Sequence, residues 1–113
     1  MASCLFCRIA AGEIPCNAVH ADDEFLAFRD IAPQAPVHIL VIPRRHVASL
    51  AATTDADAGM AGRLLGLARR IARDEGLDAG YRCVINTGAD GGQSVDHLHL
   101  HILGGRALGW PPG

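Results

Sequence analysis

Short runs of apolar and β-branched residues, bounded by glycine, proline or aspartate, predict five strands: residues 18–20, 25–28, 37–42, 81–87 and 95–103. Asp22 and Asp23 separate the first two runs, which is typical of two strands joined by a tight connection. The third run stops at Pro43 and has few polar residues, so we expect a strand that is buried on both faces.

A single long helix is predicted in the middle of the chain. Its apolar residues recur three or four positions apart: Met60, Leu64, Leu67, Ala68 and Ile71. Thr54 and Asp57 resemble a capping box before this helix, and Gly76 is a natural residue to end it. Residues 4–11 are expected to form a short helix or a loop. Because strands outnumber helices and the connections are short, the pattern predicts an α+β fold with the long helix on one face of an antiparallel sheet.

Three glycines interrupt the predicted long helix: Gly59, Gly62 and Gly66. Each weakens a helix by up to about 1 kcal/mol relative to alanine. They either allow a close neighbour such as a second subunit, or they are simply tolerated in a packed helix.

Composition narrows the classes of function. A length of 113 residues suits one domain over residues 1–113, and 50% hydrophobic residues argue against disorder. The net charge of −2 provides no basic surface for nucleic acid, and no apolar run approaches the roughly 18 residues of a membrane span. Since the N-terminus does not resemble a signal peptide, we expect a cytoplasmic protein with reduced cysteines. Cys83 lies in a predicted strand and is expected in the core.

The most specific feature of the sequence is a row of alternating histidines, His97, His99 and His101. Side chains alternate between the faces of a strand, so the three imidazoles share one face and the intervening aliphatic residues enter the core. Two such histidines could bind one zinc ion together with other ligands. Alternatively, the row could supply an acid, a base and a nucleophile, since imidazole titrates near neutral pH and can attack phosphorus.

The segment before the histidines favours phosphate chemistry. Residues 86–94 contain three glycines together with amide and hydroxyl side chains. Glycine lets a backbone come close to a ligand, and successive backbone N–H groups can surround an anion. Many glycine-rich loops are only turns, but a loop that leads directly into three histidines on one face indicates a phosphate site.

These residues resemble the histidine triad (HIT) family. The run from His97 to Leu103 has that family's alternation of histidine and apolar residues. Further segments resemble its Hint branch: residues 30–38, 41–43, 91–94, 103–106 and 110–113. The resemblance covers nearly the whole chain. It implies a HIT-like fold, in which an antiparallel five-stranded sheet is combined with one long helix and a short N-terminal helix.

The resemblance also implies an activity, that of a homodimeric purine nucleotide hydrolase, chiefly a nucleoside phosphoramidase. Such enzymes cleave the P–N bond of purine nucleoside 5′-phosphoramidates, or act on acyl-adenylates, and release a nucleoside monophosphate. By motif position, His99 is the nucleophile and forms a nucleotidyl-histidine that water hydrolyses, which divides one difficult displacement into two easier ones. This chemistry requires no cofactor.

By the same resemblance, the residues around the nucleophile receive roles. The implied catalytic set is His99, His97, His101, His38 and Ser94. His101 is expected to hold the phosphate oxygens, and Ser94 to hydrogen-bond the leaving amine. His97 and His38 are expected to order the His99 ring and its tautomer through a hydrogen-bond network, because only a nitrogen without a proton can attack.

The nucleotide is expected to lie between an apolar slot and the glycine-rich loop. The implied binding residues are Leu5, Phe6, Ile9, Asp30, Ile31, Asn86, Gly92, Gln93, Ser94, Val95, His99 and His101. Asp30 would accept from the ribose hydroxyls, unless it is only a loop acid, while Asn86 and Gln93 would orient the phosphate and sugar. Phe28 is a further candidate for the slot, with core packing as its alternative.

Cys4 and Cys7 are half of a zinc site, which needs four ligands. Bacterial HIT proteins similar to this chain often bind a structural zinc ion through such a pair and two histidines, which here are His46 and His97. The alternative is a pair of small buried side chains. If zinc binds, His97 is structural and does not order the nucleophile, and His99 stays free of metal.

Three functions follow from these interpretations. The first is the nucleotidyl hydrolase described above. The second is a nucleotide-binding regulatory protein in which turnover is incidental. The third is a zinc-dependent hydrolase with the histidines as catalytic ligands, which a chelator would inactivate.

Overall fold

The fold is an antiparallel five-stranded sheet with a long helix on one face and a short N-terminal helix, as predicted. A computed structural model describes residues 4–113. The elements in chain order are α1 (Leu5–Ala10), β1 (Ala18–Ala21), β2 (Phe25–Arg29), β3 (Val37–Pro43), α2 (Ala58–Asp74), β4 (Tyr81–Val84) and β5 (Leu100–Gly104). Two short 3₁₀ turns precede α2, Leu50–Ala52 and Asp55–Asp57. The strand order is β1-β2-β3-β5-β4.

β3 is the central strand and is paired on both sides. Its residues 39–43 pair with β2 and its residues 37–41 pair with β5, both antiparallel. Six of its seven residues are buried, because apolar side chains cover both faces of the sheet at this position. The lack of polar alternation in this segment of the sequence is thereby explained.

The predicted capping box begins the 3₁₀ turn Asp55–Asp57 that leads directly into α2, and the predicted glycine follows the helix. The Asp57 carboxylate accepts a hydrogen bond from the Thr54 N–H at 2.9 Å. After the helix, Gly76 has a φ of 75°, and the N–H groups of Gly76 and Leu77 donate to carbonyls of the last turn, both at 3.0 Å. This Schellman ending turns the chain so that Leu77 enters the core.

The sheet separates two apolar layers. The larger layer lies between the sheet and α2, and its most buried members include Ile39, Leu64, Leu67, Leu98, Leu100 and Ile102. The smaller layer lies on the opposite face, under α1, and consists of Phe6, Leu26, Phe28, Leu40 and Ile42. Side chains alternate between the two faces along residues 97–101. Leu98 and Leu100 therefore join the larger layer, and the histidines that alternate with them face the smaller one.

Three features differ from the predictions. β4 ends at Val84 and β5 begins at Leu100, so the strands are shorter than residues 81–87 and 95–103. The chain between them lacks strand pairing because it forms the glycine-rich loop and the turns that follow it. Cys83 is exposed, not in the core, since β4 is an edge strand. Within residues 4–113, no helix has the length and apolar character to cross a bilayer.

Candidate active site

The predicted catalytic side chains gather on the sheet face opposite α2. Phe6 on α1, His38 on β3 and His99 just before β5 are each at most 6% exposed. Ring centroids are 5.1 Å apart for Phe6 and His99, 5.0 Å for His99 and His101, and 5.1 Å for His38 and His101. The fold thus brings three distant segments of the chain into one contiguous cluster of rings.

A backbone carbonyl sets the tautomer of His99. The Nδ1 atom of this ring lies 2.7 Å from the carbonyl oxygen of His97. A carbonyl can only accept a hydrogen bond, so Nδ1 carries the proton and the neutral ring has its lone pair on Nε2. The geometry therefore leaves Nε2 as the nitrogen of His99 that carries a lone pair.

A chain of two hydrogen bonds sets the opposite tautomer at His101. The backbone N–H of Gln34 donates to Nδ1 of His38 at 3.0 Å, so the neutral His38 ring carries its proton on Nε2. This Nε2–H donates to Nδ1 of His101, 2.9 Å away, which leaves the His101 proton on Nε2. Within residues 4–113, that His101 nitrogen is the buried side-chain polar atom without a hydrogen-bond partner. Such a donor is suited to an anionic oxygen of a ligand.

Burial keeps His38 and His101 neutral. Removal from water lowers the pKa of His38, although the nearby Asp30 carboxylate opposes this change. Removal from water also lowers the pKa of His101 to about 4, and the neighbouring His99 and His38 contribute to the shift. Asp30 itself is oriented, since one oxygen accepts the Ala32 N–H at 2.8 Å and the other lies 3.5 Å from Nε2 of His38.

The network differs in two respects from the one that the resemblance implies. His97 acts on His99 through its backbone carbonyl, while its ring donates Nε2–H to the Pro43 carbonyl at 2.8 Å. His38 is hydrogen-bonded to His101 and not to His99. The side chains of His97 and His38 therefore do not order the nucleophile directly, because a carbonyl two residues earlier already occupies its Nδ1.

Gln93 holds the glycine-rich loop together. Its side-chain Nε2 donates to the carbonyls of Ala48 at 2.7 Å and Val95 at 3.0 Å. Its Oε1 accepts the N–H of Gly88 at 3.0 Å. Because both ends of the amide are engaged within the protein, Gln93 shapes the loop in this structure, whereas the resemblance implies that it orients the phosphate.

Glycine is required at two adjacent positions of the loop for different reasons. A Cβ on Gly91 would lie 2.3 Å from the carbonyl oxygen of Thr87, so no side chain fits there. Gly92 has a φ of 79°, a conformation that other residues rarely adopt. Ser94 is exposed and Asn86 is half-buried at the two ends of the loop, where both side chains remain accessible to a ligand.

The candidate base slot has exposed apolar residues at its rim. Leu5 is 45% exposed and Ile31 is 100% exposed, while Ile9 is half-buried. These positions leave apolar surface that a purine could cover. Phe28 is 5% exposed and packs edge-on against Phe6 with ring centroids 5.7 Å apart, so its alternative interpretation as a core residue is correct.

Cys4, Cys7, His46 and His97 form a compact cluster of potential metal ligands. Any two of their donor atoms lie within 4.8 Å of each other. Nδ1 of His97 is 3.4 Å from Cys4 Sγ and 3.5 Å from Cys7 Sγ, and Nδ1 of His46 is 3.2 Å from Cys7 Sγ. Sulfur and nitrogen ligands lie about 3.5 Å apart on a tetrahedral zinc ion, so the donor set and spacing fit zinc. The second ring nitrogen of His97, Nε2, is hydrogen-bonded to the Pro43 carbonyl. Such a hydrogen bond is also typical of a metal-bound histidine.

Comparison with known proteins identifies the family. The HIT domain model matches residues 11–108. The chain belongs to the HIT family. Among its relatives, an uncharacterized HIT-like protein from Synechococcus elongatus is 56% identical over 109 residues, which is 96% of each chain. This confirms the family predicted from the alternating histidines.

Solved structures of other HIT proteins have the same fold. A HIT family hydrolase from Legionella pneumophila superposes with a TM-score of 0.97 and is 51% identical, covering 98% of this chain and 100% of that one. A histidine triad protein from Clostridium difficile gives a TM-score of 0.94 at 44% identity and covers 96% of both chains. The architecture around the site is therefore that of the family.

Sequence reasoning did not find several groups that complete this HIT site. Three of them are backbone groups, namely the N–H of Gln34 and the carbonyls of Pro43 and His97, and a motif of side chains carries no signal for them. A fourth is the Arg44 guanidinium, which donates to the carbonyl of Ala10 at 2.9 Å and ties the end of α1 to the end of β3. One arginine after a strand is too common a feature to be singled out.

Proposed function

We propose that this HIT protein is a nucleotide-binding hydrolase in which Nε2 of His99 attacks phosphorus. The observation that carries the proposal is the pair of opposite tautomers, since His99 has a lone pair and His101 beside it has an N–H without a partner. A nucleophile next to a fixed donor suits attack on a phosphate, because the donor stabilises the developing charge on oxygen. The Legionella relative is named a hydrolase, which agrees with this chemistry.

The substrate class that we propose is that of the Hint branch, purine nucleoside 5′-phosphoramidates and acyl-adenylates. In the first step with a phosphoramidate, Nε2 of His99 bonds to phosphorus while the P–N bond breaks, and the leaving nitrogen takes a proton from solvent beside Ser94. With an acyl-adenylate, the P–O bond breaks instead and the carboxylate leaves. In the second step water attacks phosphorus and releases the nucleoside monophosphate from His99. The His101 Nε2–H and the backbone of the loop that ends at Ser94 bind the phosphate oxygens in both steps.

The nucleoside part would be bound by the remaining predicted residues. The oriented carboxylate of Asp30 is available to ribose hydroxyls, and the exposed apolar side chains of Leu5 and Ile31 are available to the base. Asn86 lies at the start of the loop, where it would contact the phosphate and sugar. The oriented carboxylate and the exposed apolar side chains support a nucleoside at this face.

We further propose that the cluster of Cys4, Cys7, His46 and His97 holds a structural zinc ion. In that position zinc would tie α1 to the segment that precedes β5. His99 and His101 do not belong to the cluster, which favours a structural role for the metal over a catalytic one.

A homodimer is also proposed, through α2 and the edge strand β4. Leu65 on α2 is 54% exposed and Tyr81 on β4 is 42% exposed, and both are large apolar side chains. A Cβ on Gly62 would meet no atom within 4 Å in this chain, so packing within the chain does not require that glycine. A second subunit that approaches α2 closely would require it.

The test is hydrolysis of adenosine 5′-phosphoramidate by the native protein and by His99→Ala, each with and without a chelator. We expect the variant to lose at least about a hundredfold in kcat/KM and the chelator to leave kcat at saturating substrate unchanged. His20→Ala is the matched control, because His20 lies on β1 outside the site. Nucleotide binding without turnover would instead favour the regulatory protein, and turnover that vanishes with the chelator would favour the zinc-dependent hydrolase.

A further inference from the structure

His97 takes part in two sites at once. Its ring Nδ1 faces Cys4 and Cys7 at 3.4 Å and 3.5 Å, within the cluster that fits a metal ion. Its carbonyl oxygen accepts the Nδ1–H of His99 at 2.7 Å. The ring is 0% exposed and is fixed on its other side by the Pro43 carbonyl. His97 therefore contacts both the metal cluster and His99, so a change in its position would act on His99 directly.

α1 provides a second connection between the cluster and the nucleophile. Cys4 is the N-cap of this helix and its Sγ accepts the N–H of Cys7 in the first turn at 3.4 Å. Phe6 lies between the two cysteines and packs edge-on against both His97 and His99, with ring centroids 5.9 Å and 5.1 Å apart. The turn that contains both thiols therefore also places Phe6 against His99.

α1 has little stability of its own. It has six residues, whereas isolated helices shorter than about 12 residues are marginal in water. Phe6 anchors it in the smaller apolar layer, the cysteine cluster contacts its first turn, and Arg44 holds its end. An ion that joins Cys4 and Cys7 to two histidines of other segments would restrict the helix to one position, and removal of that ion would free its first turn.

We propose that the cluster of Cys4, Cys7, His46 and His97 is an allosteric zinc site whose occupancy sets the affinity of the nucleotide site. This inference rests on the proposed nucleotide-binding function. With zinc bound, His97 and α1 hold His99 and Phe6 in the arrangement that binds nucleotide. Without zinc, the protein adopts this arrangement only part of the time. The apparent affinity for nucleotide then falls in proportion to the fraction of molecules in the binding arrangement.

The test uses the reciprocity of coupled binding. The dissociation constant of AMP is measured by calorimetry on chelator-stripped protein and on protein loaded with one equivalent of zinc and freed of excess metal. The dissociation constant of zinc is measured against a competing chelator, with and without saturating AMP. We expect zinc to tighten AMP binding at least about fivefold, and AMP to tighten zinc binding by the same factor.

The outcomes separate this inference from the proposed function. Equal AMP affinities in the stripped and loaded proteins overturn the allosteric role and leave the nucleotide-binding function standing. A protein that binds no zinc overturns the allosteric role and the proposed zinc site together, and leaves the nucleotide-binding function standing. A protein that binds AMP in neither form overturns both proposals.

Cysteine variants provide the matched controls. Cys7→Ser removes a ligand, so its AMP affinity should equal that of the stripped native protein and should not respond to zinc. Cys16→Ser and Cys83→Ser alter exposed cysteines outside the cluster, so both should keep the full native response. A Cys7→Ser protein that still responds fully to zinc, or control variants that do not respond, would contradict the assignment of the site. The comparison of stripped and loaded native protein stands even if Cys7→Ser does not fold.

Discussion

Gly91→Ala should reduce hydrolysis because of the space available inside the glycine-rich loop. The backbone of Gly91 is not left-handed, so the effect is steric and not conformational. A Cβ there would lie 2.3 Å from the Thr87 carbonyl oxygen and 2.9 Å from the Thr87 nitrogen. Since Cβ atoms essentially never come within 3.0 Å of a non-bonded atom, the loop must shift by at least 0.7 Å (3.0 minus 2.3 Å).

The magnitude follows from the proposed role of this loop, which precedes the histidines in the chain, in binding the phosphate. A misplacement of about 1 Å costs on the order of a hundredfold in rate, which corresponds to roughly 2.7 kcal/mol in the barrier. The free energy of unfolding should change little, since residues 88–92 are exposed. We therefore expect kcat/KM to fall by about 10- to 100-fold while the Tm stays near the native value.

The assay is hydrolysis of adenosine 5′-phosphoramidate, with thermal unfolding measured on the same samples. Asp90→Ala is the control, because it alters an exposed side chain of the same loop without adding a Cβ inside it. A Gly91→Ala protein with native kcat/KM would refute the reasoning, since the loop would then tolerate the shift or take no part in binding phosphate. A large loss of Tm would show that the loop supports the fold instead of the site.

Three further outcomes are expected from changes in pH or sequence. Because unfolded His101 takes up a proton near pH 6.5 and the folded ring only at a pKa of about 4, the free energy of unfolding should fall by up to roughly 3 kcal/mol as the pH drops through this window. Urea unfolding of the native protein and of His101→Asn at each pH checks this. If the free energy of unfolding had the same dependence on pH in both proteins, the prediction would be contradicted. Gly62→Ala should raise helix stability by up to about 1 kcal/mol yet weaken the dimer in sedimentation, whereas an unaffected dimer would place the interface elsewhere. Gly104→Ala puts a Cβ 2.7 Å from Leu77 Cδ1 and should cost about 1–3 kcal/mol in urea unfolding, unless Leu77 repacks freely.

Most of the fold could be predicted because the sequence signals are local. Periodicity placed the strands and α2, and the capping pair of Thr54 and Asp57 and the glycine at position 76 marked the ends of the helix. Alternation also predicted that the histidines share one face while Leu98 and Leu100 enter the core. The exposure of Cys83 could not be predicted in this way, because it depends on β4 being an edge strand, and strand order is a non-local property.

The residues of the site could be predicted better than the connections between them. The motif identified the histidines, and the resemblance to bacterial HIT proteins implied His46 and His97 as metal ligands beside the two cysteines, which the structure brings together. The roles of Gln93 and His38 differ from the expectation, because each depends on a partner that is distant in sequence or belongs to the backbone. Hydrogen bonds to backbone groups leave no trace in a pattern of side chains.

The spacing of the triad explains why two histidines of one motif have opposite tautomers. Alternation places the rings on one face, and it also places the carbonyl of His97 within 2.7 Å of Nδ1 of His99, two residues later. The nucleophile's tautomer is therefore set within the motif. That of His101 is set from outside, by His38 on β3, which in turn is set by the N–H of Gln34. A substitution at His38 should thus alter the N–H of His101, the proposed donor to phosphate, and leave the lone pair on Nε2 of His99, the proposed nucleophile, in place. A displacement of His97 should alter the tautomer of His99 and leave that of His101 in place.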